Sequence, residues 1–270
     1  MDRIGRAAME LREMDDLASM DSPVHSLHPM AKLIMTVSYI LVTVSFGKYD
    51  LSGLLVMILY PIVLFSISGV SVKTCFYKLR LVLPLVLAVG IFNPFFDRET
   101  LLTIGNVRVS GGVISMITLM LKGVFCLMAS FLLAATTRME AICAALRKLH
   151  VPSLLTTMLL LTYRYITVMI EEVSIMTTAY RLRAPGQKGI HISAWGSFLG
   201  QLLLRSMDRA SELYASMQLR GFHGEFWYAD VKPAALKDIL AAVLLPAAFL
   251  FLRYFNVAEL LGSLMMRGRV

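Results

Sequence analysis

The sequence predicts an all-α integral membrane protein, with about five transmembrane helices and two long helices on the cytoplasmic side. Three observations lead there. Apolar residues fill 57% of the 270 positions and charged residues only 16%, against roughly 25% charged in ordinary soluble domains. The apolar runs are long and do not alternate, which is the pattern of membrane helices. The basic surplus, a net charge of +8, gathers between and after those runs, as Lys and Arg do in cytoplasmic loops. No basic stripe interleaved with aromatic residues is present, so the expected partner is the lipid bilayer and not nucleic acid.

The lead-in, residues 1–27, mixes Arg3, Arg6 and Arg12 with Glu10, Glu13, Asp15 and Asp16. It has no apolar core, so it reads as a partly amphipathic cytoplasmic segment and not as a secretory signal. Span one, Met30 to Phe46, opens after His28-Pro29. Span two, Leu51 to Ser68, contains Pro61, a kink that neighbouring helices can absorb. The connection over 70–80 carries Lys73, Lys78 and Arg80 and no acid. That places it, and with it the N-terminus, in the cytoplasm. Span three is Leu81 to Phe96, with Pro84 and Pro94. The polar stretch 97–112 reads as a small β-hairpin turning at Gly105-Asn106. Span four is Val113 to Ala135. Spans one to four and their loops make a membrane bundle over 28–135.

From 136 to 232 the texture changes. Thr137 can cap a short helix, Arg138 to Leu149, which His150-Val151-Pro152 breaks. Pro152 suits the first turn of a new helix running to about Arg183, roughly 45 Å at about 1.5 Å per residue. Its first half is apolar enough to span. Tyr163, Arg164 and Tyr165 lie in the middle, however, and Glu171-Glu172 follow. Charge at mid-bilayer is expensive, so the expected position is oblique, at the cytoplasmic membrane surface. A second long helix runs from about Ser193 to Leu219. Gly196, Gly200, Ser206, Ala210 and Ala215 recur along it, small residues that let another helix cross closely. Residues 233–270 hold a final span, Ala235 to Phe255 with Pro246, and an amphipathic tail ending in Arg267 and Arg269. Five spans put the C-terminus outside.

Several chemistries are excluded. Val72-Lys73-Thr74 lacks the glycine of a phosphate-binding loop, and neither H-E-x-x-H nor G-x-S-x-G occurs. The chain is not expected to be an enzyme or to hold a cofactor. Cys75, Cys126 and Cys143 are isolated, which is neither a disulfide framework nor a zinc site. His25 and His28 lie three apart and read as a polar membrane-entry segment, so no metal site is assigned. The 18 methionines are scattered and read as gap-fillers. At mid-depth, spans one to four offer only Lys122, which counts against a carrier with a proton relay.

The remaining signal is a pair of matched helix ends. Leu182-Arg183 precedes Ala184-Pro185-Gly186, and Leu219-Arg220 precedes Gly221. Each arginine closes a long helix, where the macrodipole favours a cation. Gly221 suits the left-handed C-cap. A guanidinium held by a helix end presents a planar fork of donors suited to a carboxylate-lined groove.

These residues resemble the two Ala-Arg-Gly-type motifs of the transmembrane T component of energy-coupling factor (ECF) transporters. Leu182-Arg183-Ala184 matches the first loosely, and Leu219-Arg220-Gly221 the second well. Leu204-Arg205-Ser206-Met207-Asp208-Arg209-Ala210-Ser211-Glu212 and His28-Pro29-Met30-Ala31-Lys32-Leu33 resemble the cobalt and nickel branch, the CbiQ-like proteins. The resemblance implies crossed cytoplasmic coupling helices whose arginine tips, Arg183 and Arg220, sit in grooves of two ABC-type ATPases. It implies that these ATPases are joined to a membrane substrate-binding subunit, in the cell membrane of a bacterium or archaeon, with cobalt or nickel as the transported ion. Ala184-Pro185 stands where the family has glycine, and Arg181 is close enough to share the first contact. The alternatives are a vitamin-type T component and, in another class, a stand-alone small-molecule carrier.

Overall fold

The computed structural model describes residues 3–80, 82–96, 100–104, 107–187, 189–224 and 235–255. The chain divides into two compact units. One comprises residues 17–138 and 232–270, the other residues 1–16 and 139–231.

The first unit is a helical bundle. Helix α2 (Pro29–Ser45) realises span one, with Pro29 in its first turn and the His28 ring capping it, Nδ1 accepting the Met30 N–H at 3.1 Å. Span two is interrupted: α3 (Leu51–Val56) stops and α4 (Leu59–Ser68) starts two residues on. The break lies one turn before Pro61, for a simple reason. Proline lacks the N–H that would bond the carbonyl four residues earlier, which is that of Met57. Tyr39 takes up the freed carbonyl, its hydroxyl donating to Met57 at 2.9 Å. The connection over 70–80 is itself mostly helical, α5 (Val72–Leu79), and turns into α6 (Leu83–Phe96). Strands β1 (Thr100–Ile104) and β2 (Val107–Ser110) pair antiparallel with Ile104 opposite Val107. Gly105-Asn106, the expected turn, lies outside the described residues. Helix α7 (Gly111–Thr136) realises span four, and α11 (Leu236–Tyr254) the body of the final span. The tail beyond residue 255 lies outside the described residues, as does the chain from 225 to 234.

Tyr39, Tyr60 and Phe249 form the centre of this unit, with ring centroids 4.5, 5.4 and 5.0 Å apart. They join α2, α4 and α11, and Phe125 of α7 is buried in the same core. Tilted and edge-on ring contacts of this kind are worth about 0.5–1.5 kcal/mol each beyond area burial. Helices α6 and α7 approach closely. A Cβ on Gly123 would lie 2.4 Å from Val86 Cγ1, and one on Gly90 would lie 2.7 Å from Met120 Cγ. Glycine is what admits these contacts.

Cations from two neighbouring helices close one helix end. At the end of α2, Lys122 donates to the carbonyls of Val44 (3.2 Å) and Phe46. Arg253 donates to Ser45 at 3.1 Å, stacks 4.7 Å over the Phe46 ring, and pairs with Asp50 at 3.7 Å. The last carbonyls of a helix have no partner within it and carry its negative pole. Lys122, the lone charge expected at mid-depth, therefore acts as a helix cap.

The second unit is built on α9 (Ser153–Arg183), 31 residues without a break. Helix α8 (Met139–Lys148) packs on it, burying Cys143, Ala144 and Ala145. Burial pushes the Cys143 thiol up from its ordinary pKa, with Glu140 adding to the shift, so this is an inert structural cysteine. Helix α8 ends at His150 in the left-handed region, φ 66°. Val151 N–H returns to the Leu146 carbonyl (3.2 Å) and His150 N–H to Arg147 (3.0 Å), a complete Schellman closure ahead of Pro152. Helix α10 (Trp195–Leu219) follows a 3-10 turn, Ile192–Ala194.

Among the described residues, three helical segments are long and apolar enough to cross a membrane: Leu51–Ser68, Gly111–Thr136 and Ser153–Arg183. The pair Val72–Leu79 and Leu83–Ile91, bent by 69°, makes a fourth only when counted as a single broken span. Helix α2, at 17 residues, falls just short of that length. Helix α11 has the length, with Lys237, Asp238 and Arg253 near its ends. Within α9 the polar residues at mid-helix are engaged with charged helices. Tyr163 donates to Asp15 Oδ1 at 2.5 Å, Arg12 pairs with Glu171 at 3.6 Å, and Arg205 pairs with Glu172. Asp15 and Arg12 belong to α1 (Arg3–Ala18), far too charged to be buried in lipid.

Candidate functional site

The two arginine tips are built differently. Arg220 is the C-cap of α10. Gly221 follows at φ +79°, its N–H returning to the Gln218 carbonyl at 2.9 Å, and Phe222 N–H closes onto Met217 at 3.0 Å. Both bonds of the Schellman motif are present, so the last turn is fixed up to the arginine. Leu219 beside it is 89% exposed.

Arg183 is the last residue of α9, with Arg181 in the same turn. Here the stop comes from Ala184, whose N–H still bonds Tyr180 (3.0 Å), followed by Pro185 and Gly186 at φ +97°. The loop that follows is tied down by Tyr180. Its hydroxyl donates to Gln187 Oε1 at 2.9 Å and accepts the His191 N–H at 3.2 Å. His191 in turn caps the 3-10 turn, Nδ1 accepting Ser193 N–H at 3.4 Å. No sequence signal marks this clasp: Tyr180 seven residues before Gln187 and eleven before His191 carries no recognisable motif. Leu182 is 79% exposed.

Both tips thus offer one exposed leucine and one exposed arginine on a fixed helix end. Among the described residues, neither Arg183 nor Arg220 makes an ion pair or side-chain hydrogen bond, whereas Arg181 has a partner within the chain.

The small-residue stripe faces outward. A Cβ added at Gly196 or Gly200 would meet no atom within 4 Å, and Ala210 and Ala215 are exposed while Ser206 is half-buried. Helices α9 and α10 meet at Glu172 and Arg205 instead. Glycine-mediated close approach within this chain is seen at Gly90 and Gly123. His25 and His28 are both occupied by hydrogen bonds to the protein, and no group of metal-ligating side chains occurs among the described residues.

One prediction concerns the second tip. Alanine at position 221 would meet open space, so its cost is purely the left-handed backbone, about 1–2 kcal/mol. Gly221→Ala should speed amide exchange at 221 and 222 about tenfold and leave α9 unchanged. Gly221→Asn should be milder, since Asn tolerates that conformation.

Comparison with known proteins points one way. The family model described as Cobalt transport protein, CbiQ, matches residues 20–228. The chain is 35% identical over 122 residues to cobalt transport protein CbiQ of Rhodobacter capsulatus, covering 44% of this chain and 49% of that protein. It is 30% identical over 122 residues to nickel permease LarQ of Lactiplantibacillus plantarum, covering 44% and 45%. These two matches span about half the length of the relatives. A longer match, 24% identical over 219 residues, covers 76% of this chain and 82% of the energy-coupling factor transporter transmembrane protein EcfT of Lactococcus lactis. The chain therefore belongs to the CbiQ cobalt transport family, the CbiQ-like T components of energy-coupling factor transporters, and is a multi-pass protein of the cell membrane.

Proposed function

We propose that this chain is the coupling subunit of an ATP-driven importer. It links two ABC-type ATPases to a membrane substrate-binding subunit, with Co2+ or Ni2+ as cargo. Arg183 and Arg220 are the contacts, one per ATPase, and the N-terminus lies on the ATPase side. The carrying observation is the pair of helix ends: each presents an exposed Leu-Arg on a turn locked by the chain itself. An anchor that keeps its geometry through a power stroke needs that rigidity, and an arginine meeting a carboxylate in a groove makes a charge-assisted, bidentate contact. Because Arg181 already has a partner in the chain, Arg183 is the docking residue of the first tip. Long levers suit stroke transmission, and α9 and α10 are helices of 31 and 25 residues. The chain itself supplies no catalytic group.

The test is co-expression with candidate ABC-type ATPases and a candidate membrane substrate-binding protein from the same genome. One coupling subunit should purify with two ATPases, and proteoliposomes should take up Co2+ only with ATP inside the ATPase compartment. Failure of the ATPases to co-purify would reject the reading. Assembly without Co2+ or Ni2+ uptake would keep the coupling role and favour a different cargo.

A further inference from the structure

The chain passes between its two units at three places: 16/17, 138/139 and 231/232. Within the bundle unit, one buried polar cluster grips the chain next to all three. Lys32, one turn into α2 and only 4% exposed, donates from Nζ to the carbonyls of Thr136 (2.7 Å) and His25 (3.1 Å). His25 Nε2 faces the carbonyls of Leu17 (3.0 Å) and Ala135 (3.3 Å). With two acceptors opposite it, that nitrogen carries the proton, and Nδ1 takes the Ser22 hydroxyl at 2.7 Å. Asp238 is buried too, accepting Ala235 N–H at 2.9 Å and His28 N–H at 3.3 Å, and it supplies the negative charge opposing Lys32. So Leu17, Ala135-Thr136 and Ala235 are held by side chains of one cluster.

We infer that Lys32, with His25 and Asp238, is the positioning centre for energy coupling. It holds the chain at Leu17, Ala135-Thr136 and Ala235, the gripped bundle positions near the three points where the chain passes to the ATPase-binding unit. Ala135 and Thr136 carry the last carbonyls of α7, which have no helical partner. A buried cation there stiffens that helix end, and a stiff end transmits displacement where a frayed one absorbs it. Only the coupling consequence rests on the proposed function; the clamp itself does not.

The experiment therefore has two arms. In the first, amide exchange of the full chain in detergent is compared for wild type, Lys32→Met and Lys32→Arg. Lys32→Met should exchange at least tenfold faster over 133–140 and 17–25, with 121–132 unchanged. Lys32→Arg, which keeps the charge, should stay within threefold of wild type. Unchanged exchange in Lys32→Met would overturn the clamp, and so would general loss of protection including 121–132. Should Lys32→Met fail to accumulate, Asp238→Asn should loosen 17–28 and 235–240 about threefold, and an unaltered pattern there overturns it equally. The second arm is the assembled complex in proteoliposomes. Lys32→Met should keep its ATPases and their hydrolysis but lose at least tenfold in Co2+ moved per ATP, with recovery in Lys32→Arg. An unaltered ratio would remove the coupling role. A wild-type complex that never assembles rejects the proposed function instead, and the exchange arm alone then decides the clamp.

Discussion

Arg183→Glu combined with Arg220→Glu should strip the ATPases from the detergent-solubilised complex while leaving the membrane subunit folded. Losing one partner of a buried, hydrogen-bonded charge pair costs about 2–5 kcal/mol. Two such contacts acting on one assembly amount to a loss of at least about a thousandfold in affinity, by the tenfold-per-1.4 kcal/mol scale. Reversal adds repulsion from the carboxylates that lined the grooves. The effect should be confined to assembly. Both guanidinium groups are exposed and neither has an ion pair or side-chain hydrogen bond among the described residues, and substitutions at such surface positions usually change stability by no more than about 0.5 kcal/mol. Size-exclusion chromatography gives the ratio of ATPase to membrane subunit, and the thermal melt of the membrane subunit alone gives the control. ATPases retained at the wild-type ratio would show that the tips are not the anchors. Either single reversal should leave one ATPase held weakly. The comparison of Arg181→Glu with Arg183→Glu assigns the first contact: only the latter should release an ATPase.

The long elements were legible because their signals are local. Prolines at 29 and 152 open helices α2 and α9, glycines 186 and 221 follow the ends of α9 and α10, and the hydropathy of 113–135 is unbroken. The second tip was legible for the same reason, since a Schellman closure needs only glycine and the preceding turn. What sequence could not give depends on residues far apart in the chain. The break in span two falls at Met57 rather than at Pro61, because a proline leaves its mark one turn earlier, and Tyr39 fills the vacancy from another helix. Small-residue spacing at Gly196 and Gly200 matched a packing motif, yet the contact that requires glycine is Gly123 against Val86, across two helices. Spacing within one helix reports which face could be approached, and only the fold decides whether anything in the chain approaches it. The role of Lys32 is not legible in the sequence, although it lies in the His28–Leu33 stretch: a lysine in the first turn of a span reads as a snorkelling residue at the membrane interface, and one of its acceptors lies 104 positions away.

Lys122 separates the coupling-subunit reading from that of a self-sufficient carrier. A lone lysine within an apolar span is the residue a carrier would use as a relay, and its neutral substitute would then abolish transport in a protein that still folds. The geometry leads to the opposite expectation. Lys122 is the donor for Val44 and Phe46 at the end of α2, beside Arg253 on Ser45. Hydrogen bonds from a charged donor contribute about 1.5–3 kcal/mol each, and the carbonyls would be left without that donor. Lys122→Met should therefore lower the melting temperature in detergent by several degrees and lower the yield of folded protein. Lys122→Glu, which sets a carboxylate against those carbonyls, should fail to accumulate. Any transport lost in Lys122→Met should scale with the folded protein lost, so that uptake per folded complex stays within about twofold of wild type. Lys122→Arg should recover both quantities, since the guanidinium can reach the same oxygens. A stable Lys122→Met protein with transport abolished would make the lysine a transport residue, and the chain would then need to be tested as a carrier by itself. The expected outcome instead makes the bundle a passive frame, with Lys122 committed to holding a helix end, and leaves the proposed coupling role to the arginine tips.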